Sequence, residues 1–466
     1  MTHSARTLPA ASARPATDRL PLATILTYCL PTLGAGYMFL LVGLYLMKFA
    51  TDVLLVPPAA MGAIFGLSRI WDAVSDPIAG YLSDRTRTRM GRRRPWLLVS
   101  AFPIGLAFVM AFGPPTSLSG TALTLWMGLG VFGFYSAMTI FIVPHLSLGA
   151  ELTTDYHDRN RIFGIRHASW TVGSILSLVG MAVLLGAERG GAQSSRAAAF
   201  DLALLAAGVT VGLVAFAAIK LRERPEFQGR GGKHPWSAFR DVWKNPHARL
   251  LLIVTLIENL GAATIGILTL YVAQYVVGTP RLAPVFILCY MVPSFASVPL
   301  WLPLARRYGK KTIWTCSMIG TALSFGGMFF LTEGSVILIS VLAFAAGTAA
   351  GAGGTIGPSV QSDVIDWDEH QTGQRKEGAY FAAWNFVFKA SFGLTLMLTG
   401  FVLQVSGFVP NQVQTEGVKT AILSLYALYP LVCFLVGAAL FSRFDLNESE
   451  HAEIRRSLDE RRVETP

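Results

Sequence analysis

Long apolar stretches recur from one end of this chain to the other, and short links rich in lysine and arginine separate them. The stretches reach about 20 residues or more, the length that an α-helix needs to cross a bilayer. Of the 466 residues, 53% are hydrophobic and 14% are charged, a composition typical of membrane proteins. We therefore expect an all-α polytopic membrane protein that is not an enzyme and has no catalytic site.

The charges of the links predict the topology. The link at 83–95 carries six arginines and one acid, and the link at 220–249 carries eight Lys or Arg against three acids. Because basic links stay on the cytoplasmic side, we expect a multi-pass protein of the inner cell membrane with both termini in the cytoplasm. These links account for much of the net charge of +10, so we expect no nucleic acid as a partner. The expected partners are a small-molecule substrate and the lipid bilayer, and we expect a monomer.

The chain divides into two halves with the same plan. The link at 220–249 separates two sets of six apolar stretches, and the second stretch of each set ends in a basic link built around a glycine, Gly91 or Gly309. A parallel repeat of six helices is the plan of a major facilitator with twelve transmembrane helices. The predicted segments are a disordered cytoplasmic tail at 1–21, a bundle at 22–219, a cytoplasmic linker at 220–249, a bundle at 250–441 and a cytoplasmic tail at 442–466.

Charged residues interrupt the second apolar stretch, at 59–82. The run RIWDAVSDP at 69–77 places Asp72 and Asp76 four residues apart, so a helix presents both carboxylates on the same face as Arg69. Ionised groups at bilayer depth usually face the bundle interior and mark an ion or substrate path. Two acids against one base suit a small cation or an exchangeable proton, which we predict binds at Asp72 and Asp76; the alternative is a structural ion pair that locks two helices together.

A lysine in the second half lies at similar depth. Lys389 is about ten residues into the stretch at 379–403, or roughly 15 Å along a helix axis. It either faces the cavity and pairs with the aspartates or extends along the helix to the membrane surface. Other polar and aromatic residues of the stretches are candidates for the substrate cavity, with packing as the alternative for each: Tyr135, Arg166, Trp170, Glu258, Asn259, Tyr380, Trp384 and Asn385.

Charged links at the cytoplasmic end suggest a gate. The link at 363–377 alternates in sign and would lie opposite basic residues of the first half. Ion pairs between the two sets would close the cytoplasmic side, whereas a solvated loop would contribute little. The predicted gate contains Asp84, Arg92, Arg93, Arg159, Arg161, Asp363, Asp366 and Arg375.

Several motifs together resemble one family. RIWD and DP within 69–77, SDRTR at 83–87, GRRRPW at 91–96 and the link at 144–161 are similar to motifs of the glycoside–pentoside–hexuronide:cation symporters, which include the melibiose carriers. In the second half, the run at 373–378 followed by Lys389 resembles the same family. The resemblance covers nearly the whole chain. It implies cation-coupled symport of a sugar, glycoside or related small organic solute by alternating access, with Asp72 and Asp76 as cation-site acids and Lys389 as the family's membrane lysine.

The chain departs from the melibiose carriers at three positions. Gly36 stands where they have a sugar-binding acid, and Ile142 stands where they have a third cation-site acid. Their sugar-binding arginine matches Arg166 only with a one-residue shift, since His167 is the ungapped partner. We therefore do not expect melibiose itself as the substrate. Symport of a lysophospholipid or another amphiphile stays open as an alternative, and a non-transporting membrane sensor is the alternative of another class.

The coupling ion is predicted from the number of available ligands. The chain lacks a GxxxxGK[ST] nucleotide-binding loop, so we expect no cofactor and no ATP-driven transport. Sodium prefers several oxygen ligands, whereas a proton needs one carboxylate. With two acids and an apolar residue at Ile142, we expect proton coupling. A sodium site at Asp72 and Asp76, the one metal site considered, stays the alternative.

Overall fold

The computed structural model describes residues 20–153, 156–224, 242–373, 376–446 and, apart from 452, 455 and 459, residues 450–460. These described residues form helices and links without a β-strand, which confirms the predicted all-α fold class. Parts of the predicted tails and linker, at 1–19, 225–241 and 461–466, lie outside them. The helices of the first half are α1 (Leu22–Leu44), α2 (Pro58–Arg85), α3 (Arg94–Phe112), α4 (Gly120–Glu151), α5 (Tyr156–Ala187) and α6 (Gly191–Lys220).

The second half repeats this arrangement with two interrupted helices. The two segments of α8 meet at an angle of 47°, and a π-helical turn at Ser424–Leu428 joins the two segments of α12. The helices of this half are α7 (Pro246–Tyr271), α8 (Ala283–Ala296 with Val298–Tyr308), α9 (Lys310–Gly327), α10 (Val336–Thr372), α11 (Glu377–Val405) and α12 (Glu416–Leu423 with Tyr429–Phe441).

The number of membrane spans depends on how two regions are counted. By length and composition, nine helices of the described residues can cross a membrane, or ten if the bent α8 is one span. That count treats Arg161–Lys220 as one helix of 60 residues and leaves out α2, which carries several charges. Because 60 helical residues measure about 90 Å, α5 and α6 must cross separately, on either side of the turn at Glu188–Gly190. The predicted total of twelve stays a prediction.

Glycines allow the two halves to approach closely where α2 meets α11. Gly62 faces Gly400, and a Cβ placed on Gly66 would lie 3.0 Å from the carbonyl oxygen of Gly393. In membranes, small residues permit the close backbone contact that gives helices their packing energy. This contact fixes the register of α2 against α11, and with it the position of the charged residues on both helices.

Helix α10 is longer than the sequence predicts. Its predicted end lies at residue 360, but the helix continues to Thr372, so most of the predicted charged link at 363–377 is helical. Val364 and Ile365 are buried in the second half, which gives the extension an apolar anchor. Gly373 ends the helix in the left-handed conformation, with φ of 66°. The alternative of a solvated loop is therefore wrong for residues 363–372.

Candidate functional site

Four charged side chains meet where α2 contacts α11. Lys389 Nζ lies 2.9 Å from Asp72 Oδ2 and 2.6 Å from Asp76 Oδ2. Arg69 Nη1 donates a hydrogen bond to Asp72 Oδ2 at 3.1 Å. Asp72 and Arg69 are almost fully buried, whereas the side chains of Lys389 and Asp76 are 14% and 17% exposed. The structure thus brings Lys389 to both aspartates, in a cluster whose charges balance when all four groups are ionised.

Aromatic rings enclose Arg69. Its guanidinium carbon lies 5.0 Å from the ring centre of Phe39, 4.8 Å from that of Tyr135 and 5.1 Å from that of Phe392. Cation–π contacts of this kind stabilise a desolvated guanidinium. Tyr135 is itself buried in this structure and packs against Arg69, which it holds beside Asp72. Its place in the substrate cavity stays a prediction.

Helix α4 adds a residue that the sequence analysis did not single out. Thr139 Oγ1 lies 2.6 Å from Asp72 Oδ1 and 3.1 Å from Asp76 Oδ1. A hydroxyl has one proton to donate, so Thr139 satisfies only one of two ionised carboxylates at a time. If one acid is protonated, its own O–H can donate to Thr139 while Thr139 donates to the other. Its spacing of four residues from Tyr135 was the signal available in the sequence.

A polar cavity of about 560 Å³ adjoins this cluster in the second half. Four of the predicted residues line it, namely Glu258, Asn259, Trp384 and Asn385. Asn385 Nδ2 lies 3.3 Å from Asp76 Oδ2, so one side chain contacts both the cavity and the charged cluster. Trp314 also lines the cavity, without having been predicted, and donates a hydrogen bond from Nε1 to Glu258 Oε1 at 3.3 Å.

Besides Tyr135, three predicted cavity residues do not line this cavity. Tyr380 is fully buried in this structure, and its hydroxyl accepts a hydrogen bond from Asn245 Nδ2 at 2.9 Å. Its place in the substrate cavity stays a prediction. Trp170 packs on the ring of Phe39 at 5.7 Å. Arg166 lies on α5, and its substrate role, like that of Trp170, stays a prediction.

The predicted gate residues of the first half form ion pairs with other residues of the same half. Arg92 Nη2 lies 2.7 Å from Glu151 Oε1, and Arg93 Nη2 lies 3.1 Å from the same oxygen. Arg93 also pairs with Asp84. Arg161, which is 41% exposed, lies 3.7 Å from Asp158 on its own helix. The pairs of Arg92 and Arg93 connect α2 and α4 at the start of α3, whereas the pair of Arg161 lies within α5. None of these pairs reaches the second half.

The other two acids of the predicted gate, Asp363 and Asp366, pair within the second half. Lys310 Nζ lies 2.6 Å from Asp363 Oδ2, and His451 Nε2 lies 3.2 Å from Asp366 Oδ2. The side chain of Arg159 and the whole of Arg375 lie outside the described residues. The gate between the halves therefore stays a prediction for another conformation.

Residues at the opposite end of the bundle do join the two halves. The Tyr275 hydroxyl donates to Asp52 Oδ2 at 2.6 Å, and Asn411 Nδ2 donates to the Asp52 carbonyl oxygen at 2.6 Å. The hydroxyls of Thr51 and Tyr271 lie 2.9 Å apart. Asp52, Thr51 and Tyr271 are buried, so this end, which the predicted topology places outside, is closed.

Comparisons with known proteins agree with the geometry. Residues 27–448 match the family described as MFS/sugar transport protein. The chain is 29% identical over 404 residues to the inner membrane symporter YicJ of Escherichia coli (strain K12), with 86% of each chain covered. It is 28% identical over 440 residues to the isoprimeverose transporter of Lactiplantibacillus pentosus, covering 92% of this chain and 90% of the relative.

Solved structures support the fold alone. The nucleoside transporter NupG superposes with a TM-score of 0.65 at 14% identity, covering 90% of this chain and 98% of that one. A structure described under substrate recognition in proton dependent oligopeptide transporters also gives 0.65, at 13% identity, with 94% and 100% covered. The family match and the sequence relatives confirm the resemblance to the glycoside–pentoside–hexuronide:cation symporters. They also confirm the predicted cation-coupled symport of a sugar, glycoside or related small organic solute. This multi-pass membrane transporter, which is not an enzyme, belongs to the MFS/sugar transport protein family.

Proposed function

We propose that the protein couples entry of its sugar or glycoside to a proton, which binds at Asp72 and Asp76 in competition with Lys389. One observation carries the proposal: Lys389 Nζ bridges one oxygen of each carboxylate, at 2.9 and 2.6 Å. The aspartates belong to the first half and the lysine to the second. The ion pair is therefore also a bond between the two bodies that must move in alternating access.

Asp76 is the member of the pair that takes up the proton. Asp72 keeps Arg69 as a second positive partner, whereas Asp76 has Lys389 as its cationic contact and is the more exposed of the two. Protonation of Asp76 removes the charge that attracts Lys389 and leaves the lysine with Asp72. Thr139 can then donate to one carboxyl and accept from the other, which gives the protonated pair a complete set of hydrogen bonds.

The cavity connects substrate binding to this site. Its volume of about 560 Å³ is within the range of small-molecule binding sites. Asn385 lies in its wall and also contacts Asp76, so a substrate that fills the cavity meets a side chain already bonded to the proton site. Direct contact of this kind supports coupling without a long-range pathway.

The finer cellular placement belongs to the same proposal. The protein resides in the inner membrane as a monomer, with both termini in the cytoplasm. The concentration of Lys and Arg in the links at 83–95 and 220–249 supports the orientation. The similarity to an inner membrane symporter supports the compartment.

A second candidate substrate is an amphiphile. An apolar pocket of about 240 Å³ adjoins the polar cavity, and Asn259, Tyr290 and Phe388 line both. A polar headgroup in the larger space and a short alkyl chain in the smaller would use the two together. The lysophospholipid alternative thus keeps a specific observation in its favour.

The test uses purified protein in proteoliposomes with an imposed pH gradient, an imposed sodium gradient, or neither. A panel of radiolabelled pentosides, glucosides and lysophospholipids is offered in each condition. Sugar accumulation that follows the pH gradient without sodium supports the proposal. Accumulation of lysophospholipids in the absence of any sugar uptake would favour the second candidate, and accumulation that requires the sodium gradient would contradict the proton.

A further inference from the structure

The polar cavity contains a carboxylate, that of Glu258, which has no positive partner among the residues that the structure describes. Trp314 Nε1 donates to Glu258 Oε1, while Glu258 Oε2 accepts no hydrogen bond in the part of the chain that the structure describes. Among the described residues, those that line this cavity include no Lys, Arg or His, and Glu258 is the one acid. Glu258 therefore differs from Asp72 and Asp76, whose charges are already balanced by Arg69 and Lys389.

The surroundings of Glu258 hold its carboxylate in a defined position. Its Cγ lies against Gly437 of α12, where an added Cβ would be only 3.3 Å away. The indole of Trp314, on α9, fixes one carboxylate oxygen from the other side. Helices α7, α9 and α12 thus orient the side chain and leave Oε2 without a protein donor. Because Glu258 lines the cavity, its Oε2 can accept a hydrogen bond from a hydroxyl group of a ligand bound there.

Other groups in the same wall also have unused hydrogen-bonding capacity. Trp384 Nε1 and Thr255 Oγ1 are buried without a hydrogen-bond partner, and both residues line the cavity. The rings of Trp314, Trp384 and Phe381 contribute apolar faces. A sugar matches this combination, because its hydroxyls both donate and accept hydrogen bonds while its C–H faces pack on aromatic rings.

We propose that this cavity binds an uncharged glycosyl group, with Glu258 Oε2 accepting hydrogen bonds from its hydroxyls, and that the same carboxylate excludes sugars bearing a carboxylate or sulfonate. The inference rests on the proposed function as a sugar symporter and narrows its substrate class to neutral glycosides and pentosides. An anion placed beside Glu258 would be repelled in a cavity whose wall offers no cation to compensate.

The experiment compares two sugars that differ at one carbon. A methyl β-glucoside and the corresponding β-glucuronide are offered to proteoliposomes, and initial uptake and counterflow are measured for each. Wild-type protein is expected to prefer the glucoside at least tenfold. Glu258→Gln keeps the size and much of the hydrogen bonding but removes the charge, so this preference is expected to narrow severalfold. Glu416→Gln, which alters an exposed acid outside the cavity, is the matched control and leaves the preference unchanged.

Two results would overturn the inference while sparing sugar symport: uptake of the glucuronide as fast as the glucoside, or a preference that Glu258→Gln does not change. Absence of uptake for every sugar in the wild type would overturn both the inference and the proposed function. If Glu258→Gln does not fold, Trp384→Phe provides the second test. Loss of its Nε1–H is expected to raise severalfold the glucoside concentration that gives half-maximal uptake. An unchanged concentration would contradict the assigned cavity.

Discussion

Lys389 of α11 lies between Asp72 and Asp76 of α2, with its ammonium nitrogen 2.9 Å from one carboxylate and 2.6 Å from the other. One cation therefore contacts two acids and connects the two halves at the same point. A proton that binds to either acid removes part of that connection. The following predictions test this site, the hydroxyl beside it and the closed end of the bundle.

Replacement of Asp76 by Asn is expected to abolish uphill accumulation. Asparagine keeps the size and some hydrogen bonding but cannot bind a proton at neutral pH. Counterflow, which exchanges substrate without net proton movement, should persist, and the comparison of the two assays isolates coupling. The control is Asp201→Asn, an exposed acid on α6 outside the site. Normal gradient-driven accumulation by Asp76→Asn would remove Asp76 from the coupling site.

Replacement of Lys389 by Ala is expected to reduce coupled uptake at least tenfold. Without the lysine, Asp72 retains Arg69, but Asp76 loses the positive group that lies 2.6 Å away. The measurement is initial uptake at several external pH values, with protein amounts normalised by immunoblot. Wild-type uptake at every pH would mean that the observed ion pairs have no part in transport.

Replacement of Thr139 by Val should weaken cation binding while leaving the packing of α4 nearly unchanged. Valine has a similar shape but no hydroxyl, so the Oδ1 atoms of Asp72 and Asp76 lose their shared partner. The protonated pair uses the hydroxyl as both donor and acceptor, whereas the ionised pair uses it only as a donor. Loss of the hydroxyl therefore costs the protonated pair one more hydrogen bond, about 0.5–1.5 kcal/mol or roughly two- to tenfold in affinity. Thr139→Ser restores the hydroxyl and is the control. If the Val and Ser variants need the same concentration of the coupling ion for half-maximal uptake, the role of the hydroxyl is refuted.

Replacement of Tyr275 by Phe should open the end of the bundle that is closed in this structure. The variant lacks the hydroxyl that donates to Asp52 at 2.6 Å, a charge-assisted bond worth about 1.5–3 kcal/mol. Spin labels at Leu55 and Val413, both exposed at this end in different halves, would report a longer mean separation. The labels are attached after replacement of the native cysteines. Tyr308→Phe, which changes an exposed tyrosine elsewhere, is the control, and identical distance distributions in both variants would contradict the closure.

The sequence predicts the helices well, because each membrane span must satisfy its own backbone hydrogen bonds and so leaves a long apolar stretch. It also gives pairing with Asp72 and Asp76 as one of two possible positions of Lys389, since charges at that depth need partners. It does not distinguish Trp384, which lines the cavity, from Tyr380, which is buried one turn away. Which of the two lines the cavity depends on how α11 is rotated against its neighbours. Because both residues are aromatic, their residue types do not distinguish them.

Two other features could not be predicted from the hydropathy of the sequence. Thr139 carries no charge and sits in an apolar stretch, so only the position of α4 beside α2 makes it a partner of both acids. Helix α10 continues to Thr372, past the apolar part of its sequence, because Val364 and Ile365 find buried contacts beyond the predicted membrane boundary.

The most direct test of proton symport is the pH change that accompanies substrate entry. Energy-depleted vesicles containing the protein are suspended in weakly buffered, sodium-free medium, and a transported sugar is added while external pH is recorded. The account predicts a transient alkalinisation outside that is unchanged by added sodium and absent with Asp76→Asn. Sugar uptake that requires sodium and moves no protons would contradict it, and would assign the carboxylates of Asp72 and Asp76 and the hydroxyl of Thr139 to a sodium site instead.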